Sequence, residues 1–187
     1  MNPCIRLFSK ITRLTPEAIE ALTKVGYEKY SVKKGAPLIR VHQGCQELFF
    51  IEEGLVKLRF FKDDKEFIMR FFKEGEAVTD LASFYGNTSD KYEIIALATT
   101  KAFAIPLQAL EQLCTQHPSI NTAYRKFMLM ANLNMIQRIS EMLEQDASIR
   151  YKNFSQQNAE LLQRINLGDV ASYLGITQVS LSRIRAK

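Results

Sequence analysis

The side chains best suited to chemistry fall in one C-terminal stretch, LGDVASYLGITQVSLSRIRA, from Leu167 to Ala186. Within it Gln178, Val179, Ser182 and Arg183 share one side of a short segment. An amide can pair bidentately with adenine and a guanidinium with guanine, and a valine methyl can meet the methyl of thymine. Ser180, Arg185 and Lys187 are better suited to phosphates. This is chemistry of recognition, and its natural object is the major groove of double-stranded DNA.

Such a face must be held rigidly, and the surrounding residues suggest how. Val170, Ala171, Leu174 and Ile176, then Leu181 and Ile184, give the apolar spacing of two short crossed helices. Gly175 sits at the turn, which calls for positive φ. Ala171 falls where the helices cross and a larger side chain would separate them, and Thr177 caps the second helix. Together these predict a helix-turn-helix whose second helix enters the groove. The blander alternative is a helical hairpin with a glycine turn.

Other chemistries find less support. Metal-dependent oxygenases and isomerases need two or three histidines plus a carboxylate, whereas this sequence holds only His42 and His117, far apart. Cys4, Cys45 and Cys114 are odd in number and widely spaced, which argues against a disulfide scaffold and fits a reducing cytoplasm. No nucleophile–base pair or phosphate-binding glycine loop is present, so an enzyme is not expected. The first residues, MNPCIRLFSKITRLTPEAIEALT, carry Arg6, Lys10 and Arg13 and read as neither signal peptide nor anchor. No membrane partner is expected. The net charge of +5 permits an anionic partner.

The rest of the chain supplies the support. Thr15-Pro16-Glu17 reads as a helix start and Gly26 as its end. From Tyr27 to about Pro106, short apolar runs alternate with turns: Glu47–Ile51, Val56–Phe61, Glu66–Phe72, Tyr92–Ala98 and Lys101–Ile105. Val56, Leu58 and Phe60 alternate with Lys57 and Arg59, the period of a half-buried strand. This spacing predicts a β-sandwich or barrel. Pro118 to about Gln145 then lacks further Pro or Gly and predicts one long helix. Tyr124, Met128, Ala131, Met135, Ile139 and Met142 form a stripe; Ile120, Phe127, Leu133, Ile136 and Leu143 form a second apolar face. Either both faces pack within one chain, or one packs on the barrel and the stripe pairs with a second copy.

With these residues in order, the chain resembles the cyclic-AMP-receptor/fumarate-nitrate-reductase (Crp/Fnr) family of transcription regulators. The likeness rests on KKGAPLIRVHQGCQELFFIEEGLVKLRFF with Gly35 and Gly54, FFKEGEAVTDLASF with Gly75, and YLGITQVSLSRI with Arg183 at a base-reading position. It implies an α+β fold: a double-stranded β-helix (jelly-roll) effector barrel over 1–117, a dimerisation helix over 118–145 and a DNA-binding helix-turn-helix over 146–187. A homodimer on a palindromic operator is implied, with a small-molecule effector and RNA polymerase as possible further partners. The implied effector pocket comprises Thr79, Asp80, Leu81, Ala82, Asp90, Lys91 and Met135. Asp80 falls at the acidic position, but Asp90 stands near the place of the phosphate-binding arginine. A carboxylate there repels a cyclic phosphate, so the resemblance predicts an effector other than cyclic AMP. Met135 and Ile136 fall where hydroxyl side chains contact the purine, and neither donates a hydrogen bond. His42, His117 and Cys45 are candidate haem ligands only in principle, and the cofactor is left unassigned. The family's β-wing does not follow Lys187 in this sequence. The rival function is a ligand-binding or interaction module whose helix-turn-helix does not read DNA.

Overall fold

A computed structural model describes residues 2–25, 29–80 and 91–186. Helices α1 (Pro3–Ile11) and α2 (Pro16–Lys24) lead into eight strands: β1 (Lys29–Val32), β2 (Pro37–Ile39), β3 (Glu47–Glu53), β4 (Leu55–Lys62), β5 (Lys65–Lys73), β6 (Ala77–Val78), β7 (Glu93–Ala96) and β8 (Thr100–Pro106). Six described helices follow: α3 (Leu107–Gln116), α4 (Pro118–Glu144), α5 (Ala147–Gln157), α6 (Ala159–Leu162), α7 (Leu167–Leu174) and α8 (Gln178–Arg185). Thr15 caps α2 as its hydroxyl accepts from the Ala18 amide at 3.2 Å. Gly26, read from sequence as the end of that helix, lies outside the described residues.

The strands form two antiparallel four-stranded sheets, ordered β1-β8-β3-β6 and β2-β7-β4-β5. This is the jelly-roll expected from the sequence. The β4–β5 hairpin turns through Asp63 and Asp64, both at positive φ, as a two-residue loop matching strand twist requires. In β3 the run Leu48–Ile51 is buried throughout because both faces of the strand are covered. Leu48 and Phe50 face Phe8, Leu110 and Ile120 of the helices. Phe49 and Ile51 face Val56, Phe72 and Ile94 across the barrel. Gly54, at φ +107°, admits no side chain, since a Cβ would lie 2.5 Å from the Thr100 hydroxyl.

The alternation in β4 holds, but its polar face is not left to water. Val56 faces the barrel interior, while Leu55 joins Ile68 and Phe71 of β5 against Phe154, Leu161, Val170, Ala171, Leu174 and Leu181 of the C-terminal helices. The hydrophobic core of the helix-turn-helix is therefore continuous with the outer face of the sheet. Burying so many apolar side chains, at roughly 1.5–3 kcal/mol each when fully covered, is the main force holding the C-terminal unit in place.

A candidate nucleic-acid interface and a neighbouring cleft

The helix-turn-helix is built as its spacing requires. Asn166 caps α7 by accepting from the Asp169 amide at 2.8 Å. Gly175 ends that helix at φ +71°, the left-handed conformation read from the sequence. Ile176 N–H then donates to the Ala171 carbonyl at 3.0 Å. Thr177 caps α8, its hydroxyl accepting from the Ser180 amide at 3.1 Å. Ala171 and Leu181 are buried where the helices cross. Thr177, Gln178, Val179, Ser182, Arg183 and Arg185 are exposed or nearly so and Ser180 is half-buried. Val179 alone among them is a large apolar side chain, 61% exposed. Water gains nothing from that arrangement, whereas a thymine methyl would cover it. Lys187 lies outside the described residues.

Charge also ties the C-terminal unit to the barrel. Lys57 of β4 lies 2.6 Å from Asp169 of α7 and 2.8 Å from Glu66 of β5. Glu66 also meets Arg59, which meets Glu93, so the chain of charges runs across three strands. A second tie joins Arg164, after α6, to Glu74 by two hydrogen bonds of 2.8 Å. Arg164 also donates to the Gly54 carbonyl, while Glu74 accepts from the Gly54 amide. These bonds from Arg164 hold the Glu74 carboxyl at about 2, below its usual 4.5. Sequence reasoning missed both ties. Their partners lie 112 and 90 residues apart, so no local period announces them.

Helix α4 spans 27 residues, about 40 Å at 1.5 Å per residue. The stripe named from sequence is divided. Tyr124, Met128 and Ala131 are half-buried on their own protomer, and Met135, Ile139 and Met142 are 37, 52 and 39% exposed. Met142 reaches back to Gly175, where a Cβ would meet its methyl at 3.0 Å. The second apolar face is divided too: Ile120 and Phe127 join the barrel-side core, whereas Leu133, Ile136 and Leu143 are 56, 54 and 81% exposed. With Leu129, 59% exposed, these fall at 129, 133, 136 and 143. That alternation of four and three, which Ser140 completes, is the spacing that a coiled coil requires.

A cleft of about 240 Å³ lies where β5, α4 and the C-terminal helices meet. Arg70, Glu76, Asn134, Met135, Arg138 and Tyr173 are among the residues that line it. Arg70 pairs with Glu76 at 3.0 Å. The Arg138 guanidinium stacks 3.9 Å above the Tyr173 ring and donates to the Tyr173 carbonyl. Burial lowers the Arg138 pKa.

The effector residues named from sequence are not gathered into this cleft. Leu81, Ala82 and Asp90 lie outside the described residues. Met135 lines the cleft, but Thr79, Asp80 and Lys91 do not. The Thr79 hydroxyl donates to the Glu47 carbonyl at 2.7 Å. Lys91 Nζ sits 4.2 Å from the centre of the Phe60 ring, which stacks on Phe67 and meets Tyr92 edge-on. The cation is thus held on an aromatic face. Among the described residues no group of three or more His, Cys, Asp or Glu could hold a metal. Cys4 and Cys45 are buried, and burial raises both thiols. No helix among the described residues is long and apolar enough to cross a membrane.

Residues 29–117 match the family model of the cyclic nucleotide-binding domain. Over 91% of its length the chain is 23% identical to the fumarate and nitrate reduction regulatory protein of Vibrio cholerae, covering 72% of that protein. Among solved structures, a doubly substituted mutant of CooA from Carboxydothermus hydrogenoformans superposes with a TM-score of 0.71 at 17% identity, over 100% of this chain and 83% of that one. The c-di-GMP-responsive regulator CLP of Xanthomonas campestris gives 0.72 at 16%, over 92% and 90%. These two likenesses show a shared fold.

Proposed function

We propose, for a chain that belongs to the Crp/Fnr family of transcription regulators, that it binds a palindromic DNA site sequence-specifically as a homodimer under an effector other than cyclic AMP. Its working parts on this reading are an effector barrel over 1–117, a dimerisation helix over 118–145 and a reading unit over 146–187. The observation that carries it is the face of α8, where Gln178, Val179, Ser182 and Arg183 stand exposed above buried Leu181. Those side chains can read base edges, while Ser180, Arg185 and Lys187 suit phosphates. Dimerisation through the α4 seam would set two α8 helices about one turn of DNA apart.

Arg183→Ala tests the reading on DNA selected from a random pool. Affinity for the preferred site should fall by about 1–3 kcal/mol, with the choice of base relaxed at one position per half-site. Lys187→Ala should weaken all sequences alike and slightly flatten the salt dependence. A uniform Arg183→Ala loss, or no sequence preference in the unaltered protein, overturns the assignment and favours an interaction module that does not read DNA.

The effector follows from charge. Asp90 stands near the position where the resemblance places a phosphate-binding arginine, and Lys91 is engaged with Phe60 and Tyr92. Calorimetric titration with excess cyclic AMP should show no saturable heat. Tight binding would refute this part of the reading.

A further inference from the structure

We infer that Gly168 is a specificity-determining residue, because its missing side chain provides the seat on which the Gln178 amide rests. This rests on the DNA reading proposed above. Gly168 lies in the first turn of α7, while Gln178 is the first residue of α8. A Cβ at position 168 would stand 2.6 Å from Gln178 Nε2 and 3.0 Å from Asn166 Oδ1. The shorter of these separations is not tolerated between real atoms, so a side chain must move.

Asn166 is not free to do so. Its Oδ1 accepts from the Asp169 amide at 2.8 Å and its Nδ2 donates to the Asp169 carboxylate at 2.9 Å. Asp169 is in turn fixed by Lys57 at 2.6 Å. Gln178 is exposed and ends in a flexible amide, so it is the group that gives way. Glycine in a helix forfeits stability relative to alanine. The backbone at Gly168 does not demand it, since its φ is not in the positive range that marks Gly175. What glycine supplies here is room. By contrast, a Cβ at Gly35, Gly44 or Gly75 would meet nothing within 4 Å.

The consequence concerns which base is chosen. A bidentate amide–adenine pair needs both amide atoms in one plane at a set depth in the groove. The seat over Gly168 fixes where the Gln178 amide starts from. A methyl at 168 displaces it while leaving Val179, Ser182 and Arg183 in place.

The test compares the unaltered protein with Gly168→Ala, Gln178→Ala and the double variant. Each is used for selection from randomised duplex DNA, then for competition between the preferred site and its single-base variants at several salt concentrations. Gly168→Ala should melt cooperatively and close to the unaltered protein, the helix gain of alanine being offset where its Cβ meets the fixed Asn166 Oδ1, and that separates the effect from misfolding. Its discrimination at one position per half-site should fall about 5–150-fold, the range of one bidentate contact. The salt slope should not change. The double variant should discriminate no worse than Gln178→Ala alone, as expected of residues acting as one unit. If the protein selects a sequence and Gly168→Ala keeps the same choice, or weakens every sequence alike, this inference is wrong and the DNA reading stands. If the unaltered protein selects no sequence, both are overturned.

Discussion

Replacing Lys57 by methionine should detach the C-terminal unit from the barrel more readily than any other single charge change. The group at this junction contains two cations, Lys57 and Arg59, and three carboxylates, Glu66, Glu93 and Asp169. The balance is minus one. Lys57→Met makes it minus two and leaves Asp169, whose side chain is 6% exposed, with Asn166 as its remaining side-chain partner among the described residues. Removing one member of a buried pair costs roughly 3–5 kcal/mol, and the Asn166 hydrogen bond places this case near the lower end, about 3 kcal/mol. Asp169→Asn runs the other way. The balance becomes zero and Lys57 keeps Glu66 at 2.8 Å, so about 1 kcal/mol is expected, close to the loss of one hydrogen bond. Urea unfolding of both variants gives the two costs. Amide exchange shows where they fall, which should be α5 to α8 rather than β3 or β8. Equal costs, or a larger cost for Asp169→Asn, would refute the reasoning from charge balance.

Leu133→Asp or Ile136→Asp should dissociate the dimer, since each copy forfeits roughly 1.5–3 kcal/mol of burial and must also desolvate a carboxylate. Met128→Asp, on the half-buried side of α4, should weaken it less, and sedimentation velocity that ranks them in the reverse order rejects the seam. The second tie makes docking sensitive to acid. Glu74 is depressed in the folded state, so its contribution is complete above about 4.5 and fades as pH falls toward about 2. Urea midpoints between those values should converge for the unaltered protein and Arg164→Ala; parallel curves count against the tie.

What could be read along the chain was whatever repeats locally. The capped α2, the β4–β5 turn and α4 follow from periods of two or 3.6 and from turn residues. The turn at Gly175 follows from backbone sterics, and the cap at Thr177 from the unsatisfied amides of a helix start. Helices α1 and α5 carried start signals of the same kind, Asn2 before Pro3 and the cap Asp146, but were not anticipated. The face of α4 was legible as apolar, but not which part meets its own protomer. That depends on Phe8 and the barrel-side core, and no spacing rule encodes them. Lys57 was the most misleading residue. It keeps the polar beat of an exposed strand, yet 6% of it meets water because Asp169 arrives from 112 residues away.

The shared core on the outer face of β4 and β5 bears on how this protein can be dissected. Cutting before Asp146 would look harmless, since the long helix ends at Glu144 and Asp146 caps the start of the next one. The cut would strip cover from Leu55, Ile68 and Phe71 on one sheet and take Asp169 from Lys57, leaving that cation with Glu66 alone at 2.8 Å. An apolar patch on an edge strand such as β5 invites strand pairing with other molecules. The barrel alone should therefore precipitate unless Ile68 and Phe71 are made polar. Expressed separately, the reading unit would expose the facing patch of Phe154, Leu161 and Val170. The two halves are successive in the chain but share a core, so heating should melt them in a single transition.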